Sequence, residues 1–175
     1  ASATRDRAVL DSGIYATQSQ SNAGATPSRP GAWSKNTASI GGFSHRNNTN
    51  PNDDCWCRTG STGPASDGRI GVTFTGYYDS ILTTSGSSSY TSGFGGTSGA
   101  TPIVAGHNIL AIQMFTDGIF GNTLRVPGGT RHQNRPHFTT LKALQVANAR
   151  QYPFTATSSD NRREHQGWGF PDLAK

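Results

Sequence analysis

The chain has 175 residues, with 15 Lys and Arg against 10 Asp and Glu, a net charge of +5 and 32% hydrophobic residues. That length suits one domain or a part of one. No apolar run approaches the roughly 18 residues that would cross a membrane, and a single glutamate, Glu164, leaves little for salt-bridge-laced surface helices or a coiled coil.

The excess of positive charge falls after residue 120, on Arg125, Arg131, Arg135, Arg150, Arg162 and Arg163. These are scattered, with no legible recognition module, so neither a nucleic-acid nor a membrane partner is expected. The chain opens on Ala1, without an initiator methionine or a signal-like apolar run, and reads as a processed chain or a piece of a longer one. A Gly-, Ser- and Thr-rich composition poor in Lys and Glu suits an extracellular protein.

In chain order, Thr4–Ser12 predicts a short helix that stops at Gly13. Ile14–Thr17 predicts a buried strand, followed by a polar turn over 18–24. Residues 37–42 predict a second strand, and 44–69 a loop rich in Asn, Asp, Gly and Pro. Val72–Thr75 alternates as a strand should, and Ser80–Thr84 predicts another. Residues 85–97 are too rich in Gly and Ser to suggest a strand. From Ser98 to about Phe115 the residues are small and apolar, which predicts a helix buried on all sides, with Pro102 in its first turns. Residues 138–149 predict a second long helix. Strands alternating with helices point to an α/β layered sheet, with parallel strands at 14–18, 37–41 and 72–75.

Cys55 and Cys57 are the only cysteines. Two residues apart, they can pair with each other only in a strained loop, and pairing with a segment elsewhere is the alternative. No second Cys or His pair stands at ligand spacing, so no metal site is expected.

Chemistry is suggested where the 98–115 helix begins, after the glycine-rich lead Gly93-Phe94-Gly95-Gly96-Thr97. The first N–H groups of a helix lack backbone partners and favour negative charge. A serine there can attack while free amides hold the developing oxyanion. An ordinary serine N-cap gives the same local pattern.

The wider context is more specific. Gly96-Thr97-Ser98-Gly99-Ala100-Thr101-Pro102 resembles the Gly-Thr-Ser-x-Ala-x-Pro nucleophile motif of subtilisin-like serine proteases. Four further stretches resemble that family in the same order. They are Ser12-Gly13 with Ser21-Asn22-Ala23-Gly24, then Ile40-Gly41-Gly42. Next come Ser61-Thr62-Gly63-Pro64 with Asp67-Gly68-Arg69-Ile70, and finally Gln166-Gly167-Trp168-Gly169 with Asp172. Together they span roughly residues 6–175.

The resemblance implies a three-layer αβα fold with a mostly parallel sheet, of which this chain would be the C-terminal part. It implies Ser98 as nucleophile, Asn22 as the oxyanion-hole side chain, and Ser19, Gln20, Ser21 and Thr97 at the substrate. A protein or peptide substrate is expected, with no cofactor in the chemistry. The resemblance leaves room for a structural calcium ion without assigning it ligands here.

The sequence also departs from the family. After Ile70 it runs Gly71-Val72-Thr73-Phe74-Thr75-Gly76, where the family has Lys-Pro-Asp and then an Ala-Pro-Gly turn. The residue before Asn22 is Ser21 where the family has glycine. A nucleophilic serine of this type needs a histidine base and an orienting acid. Ala8-Val9-Leu10-Asp11-Ser12-Gly13 imitates the acid's strand, but no histidine lies between Asp11 and Asn22, and the same residues fit the end of a helix. His45, His132, His137 and His165 lack the family's His-Gly-Thr context. His107, nine residues along the helix from Ser98, lies about 13 Å away by rise alone. The acid and base are therefore expected on an upstream segment of the same domain, which would be this chain's partner. The other readings are a non-catalytic secreted module or an inactive relative of this family and, less well supported, an α/β-hydrolase esterase.

Overall fold

A computed structural model describes residues 1–153 and 162–174. Helix α1 (Ser2–Ser12) ends on Gly13, whose left-handed backbone (φ 65°) lets its N–H reach the Val9 carbonyl. Three parallel strands follow: β1 (Thr17–Ser19), β2 (Ala38–Phe43) and β3 (Phe74–Tyr77). They lie in the order β1-β2-β3, with Thr17 opposite Ala38 and Ile40 opposite Phe74. Strands β4 (Ile81–Ser85) and β5 (Ser89–Phe94) form a separate antiparallel hairpin. Helix α2 (Thr97–Thr116) comes next, then the one-turn α3 (Arg131–Asn134), α4 (Phe138–Asn148) and the one-turn α5 (Arg163–Gln166).

Parallel strands are covered on both faces and read as continuous apolar or small residues. Every residue of β2 is buried. Ala38 and Ile40 from one face of β2, with Phe74 of β3, pack on Ala100 and Val104 of α2. Full burial of Ile40 and Phe74 stabilises by about 1.5–3 kcal/mol each. The pleat turns alternate residues to the other face. There Gly41 approaches the His165 carbonyl of α5, and Phe43 joins Trp56 and Tyr152, flanked by Tyr77 and Phe170. Helix on one face and a short helix with an aromatic cluster on the other give the layered α/β architecture with a parallel sheet.

The structure moves several expected elements. The first strand begins at Thr17 instead of Ile14, which is 59% exposed. Residues 89–94 form a strand after all, because cross-strand pairing with β4 sets their conformation despite the Gly and Ser content. Helix α2 is not buried on all sides. Thr97, Ala100, Val104, Asn108 and Ala111 form its buried face, whereas Ile109 is 67% and Leu110 52% exposed. Pro102 is the helix's sixth residue, so the Ser98 carbonyl loses its ordinary i+4 donor.

Cys55 and Cys57 are joined to each other, with Cα atoms 5.1 Å apart. Cys57 and Arg58 take positive φ of 47° and 55°, the local bend that so short a bridge requires. Far from being an unanchored loop, the segment holds Asp54, Cys55 and Trp56 buried. The Trp56 indole donates to the Gly60 carbonyl at 3.0 Å and stacks on His165, with ring centroids 4.0 Å apart. Among the described residues no helix is long and apolar enough to cross a membrane, and no group of three or more His, Cys, Asp and Glu could hold a metal ion.

Candidate active site

The site lies where β1 leads into the Asn22 turn and α2 begins. Gly96 takes φ 82° and donates its N–H to the Tyr78 carbonyl at 2.7 Å. A Cβ at position 96 would stand 3.0 Å from the Asn22 amide nitrogen, so the close approach of the two segments requires glycine there. Ser98 is exposed at the start of α2, between buried Thr97 and buried Gly99.

Asn22 is tied to that helix start. Its Oδ1 accepts from the Thr97 N–H at 2.8 Å and from the Thr97 hydroxyl at 2.9 Å. The Thr97 oxygen in turn accepts from the Ser21 N–H at 3.3 Å. Both acceptor bonds of Asn22 thus go to one residue, and among the described residues its Nδ2 has no hydrogen-bond partner. An outward-facing amide donor beside a helix N-terminus can stabilise an anion.

A second segment braces this turn from below. The Ser61 N–H donates to the Ser21 carbonyl at 2.8 Å, and the Ser61 hydroxyl accepts from the Ala23 N–H at 3.0 Å. The Thr62 N–H reaches the Ala25 carbonyl at 3.0 Å. Ser21 is held at φ 128°, a region that side chains disfavour. The bonds from Thr97 and Ser61 on either side keep it there.

The expected substrate-side residues separate by burial. Ser21 is partly exposed, whereas Ser19 is at the edge of burial, and Gln20 and Thr97 are fully covered. Gln20 has neither side-chain polar atom hydrogen-bonded within the described residues. Thr97 spends its hydroxyl on Asn22 and positions that side chain. Sequence reasoning missed Ser61 as a brace. Its signal was the Ser61-Thr62-Gly63-Pro64 stretch.

Asp11 lies on α1, ion-paired with Arg7 at 2.8 Å on the helix surface. His107 gives Nδ1 to the Ile103 carbonyl at 2.9 Å and packs its edge on Phe170. His137 caps α4. His45 is different. Its Nδ1 lies 2.9 Å from Asp79 Oδ1, and its N–H donates to the same oxygen at 2.8 Å. Burial pushes the Asp79 carboxyl up, but the hydrogen bonds from His45 and Ser44 outweigh it and hold the group below the usual carboxylate range. Asp79 follows Tyr78, the residue that docks Gly96, so the pair is near the helix start. Among the described residues, however, no histidine hydrogen-bonds the Ser98 hydroxyl.

No family model and no curated protein matches the sequence. Solved structures do. The chain is similar to the prenylagaramide maturation protease PagA, with 14% identity and a TM-score of 0.68, covering 98% of this chain and 52% of that one. A lanthipeptide protease has 16% identity and a TM-score of 0.66, covering 96% and 51%. The PatG macrocyclase domain has 13% identity and a TM-score of 0.67, covering 98% and 44%. The chain thus spans about half the length of the solved structures it matches. At these identities the likeness is one of fold, and the fold is subtilisin-like.

Proposed function

We propose that this chain is the nucleophile-bearing, C-terminal part of a subtilisin-like serine peptidase domain that cuts a protein or peptide chain. The observation that carries the reading is the pair of bonds from Thr97 to Asn22 Oδ1, which join the Asn22 turn to the helix start and leave Nδ2 facing out beside an exposed serine.

In the reaction, the Ser98 Oγ attacks the peptide carbonyl carbon. Its proton passes to a histidine on a segment outside this chain. The carbonyl oxygen becomes an oxyanion and accepts from Asn22 Nδ2 and the Ser98 N–H. The C–N bond then breaks, the histidine returns the proton to the leaving amine, and an acyl-serine remains. Water, deprotonated by the same histidine, attacks the acyl carbon, and the returned proton frees Ser98. Thr97 and Ser61 position the donors and touch no reacting atom. Ile109 and Leu110, adjacent on α2 and both exposed, are an apolar pair that an upstream layer would cover. The disulfide supports an oxidising, extracellular setting.

Fluorophosphonate labelling tests the reading. Ser98 should be labelled when the upstream part is supplied, in cis or in trans, and not in the 175-residue chain alone. In the complete domain, Asn22→Ala should lower kcat by about 10²–10³ with KM little changed. Turnover by the chain alone that vanishes with Ser98→Ala would overturn the two-part reading and make His45 with Asp79 the first place to seek the base. No labelling in the complete domain would favour a non-catalytic module.

A further inference from the structure

A cavity of about 220 Å³ has a wall that includes His45, Asn48, Asp54, Tyr77, Arg150 and Tyr152, and Tyr77 precedes Tyr78, whose carbonyl accepts from the Gly96 N–H at 2.7 Å. The mechanism uses none of these residues. Asp54 is 4% exposed and lines the cavity, yet its carboxylate makes no hydrogen bond among the described residues. A buried carboxylate without donors is costly, and a partner arriving from the cavity would relieve that cost.

The chemistry of the partner follows from what the other charges already do. Asp79 is satisfied by the His45 ring and by the backbone N–H groups of His45 and Arg46. Asp53 Oδ2 accepts from the Asn48 amide, and its Oδ1 is buried without a partner among the described residues. Arg150 lies over the Tyr152 ring, 5.1 Å from its centroid, with Nη2 3.5 Å from the Tyr152 hydroxyl, and so offsets these carboxylates only in part. Asp54 has Asp53 and Asp79 as like-charged neighbours and His45 and Arg150 as the opposing ones, with the Arg46 guanidinium held at the Cys55 sulfur. Of these carboxylates Asp54 is the one that lines the cavity, and it accepts no hydrogen bond among the described residues.

We propose that this cavity is a subsite for a cationic side chain, lysine or arginine, of the peptide substrate. This rests on the peptidase reading above. The path to the reacting serine is short in the chain. His45 is bound to Asp79, and Gly95 packs so close to Asp79 that a Cβ on it would stand 3.6 Å from the Asp79 Cα. Ser98 follows three residues later. A peptide lying across Ser98 can therefore place one side chain over the cavity while its backbone meets the Asn22 amide. A charge-assisted hydrogen bond to a buried carboxylate gives roughly tenfold or more in affinity over a neutral isostere.

The test scans one lysine along an alanine-based peptide and measures Kd by calorimetry on the complete domain carrying Ser98→Ala. The same scan is run with norleucine and with glutamate. At one position lysine should bind at least about tenfold tighter than norleucine, glutamate should bind weakest, and Asp54→Asn should remove the preference. Equal affinity for lysine and norleucine at every position overturns the proposal. So does a preference for glutamate, which would give the cavity to Arg150, or a lysine preference that survives Asp54→Asn. The scan with Asp54 intact decides the matter even if Asp54→Asn does not fold. Charge-selective binding without fluorophosphonate labelling would remove the peptidase reading and leave the cation site. Labelling without charge selectivity would do the reverse.

Discussion

The parallel sheet and the β4–β5 hairpin adjoin the same helix start, yet they are held by different forces. Strand β2 is buried from end to end and sandwiched between α2 and the aromatic cluster. The hairpin alternates half-buried and exposed residues on β4 and is mostly exposed on β5, with Leu82 70% and Tyr90 74% accessible. It meets the body at its mouth, where a Cβ on Gly99 would press on Ile81 and Phe94. The sheet owes its place to packing with distant residues. The hairpin owes its place to local pairing. Asn22 and Ser98 are both fixed through the first kind of structure.

The largest test of that contrast is Phe74→Ala, which empties the centre of the sheet–helix core. It should cost about 3–5 kcal/mol, read from the midpoint of chemical unfolding. A loss near 1 kcal/mol would mean the core collapses to fill the space. Second comes Asp54. Burial, then the neighbouring Asp53, raises its carboxyl to about 6, while His45 and Arg150 pull the other way. Because the folded pKa lies above the unfolded one, the group favours folding at pH below about 4 and loses that contribution as pH rises through about 6. The Tm advantage of Asp54→Asn over wild type should therefore grow between pH 4 and pH 7, by a few degrees, and a constant difference would refute the assignment. Third, Ser61→Ala removes the acceptor of the Ala23 N–H and should cost about 1 kcal/mol, seen in the same unfolding curves. It should also slow labelling of Ser98 less than Asn22→Ala slows turnover. Smallest is Tyr90→Ala on the hairpin, expected within about 0.5 kcal/mol of wild type. A larger loss would show that the hairpin is more than locally held.

Much of the sheet was legible in the residues. Ala38-Ser39-Ile40 is short and made of small and β-branched residues, and Val72-Thr73-Phe74-Thr75 alternates, both of which favour a strand. The ends were not legible, since β1 and β3 each begin two or three residues later than the pattern suggests. Register depends on which neighbours the strands meet, and those lie far along the chain. Strand β5 was missed because its pairing outweighs its composition. Helix α3 carried a readable sign in Thr130 and Gln133, whose side chains form a reciprocal cap, but four residues make no period to detect. At the site, the serine and asparagine were legible as motifs. The bonds from Thr97 and Ser61 that place them were not, because they join residues 97 and 61 to residues 21–23.

An asparagine amide is nearly symmetric in shape: its oxygen and nitrogen ends occupy the same outline, and a half-turn exchanges an acceptor for a donor. Thr97 removes that ambiguity. It presents two donors to one end of Asn22, and only oxygen can receive both. The side chain is thereby keyed, with its donating end committed outward before any ligand arrives. Asn22→Asp should fit the same lock, keeping the fold and both Thr97 bonds, yet turn a negative oxygen toward the place where a donor belongs. Structure and polarity at this position can thus be varied independently.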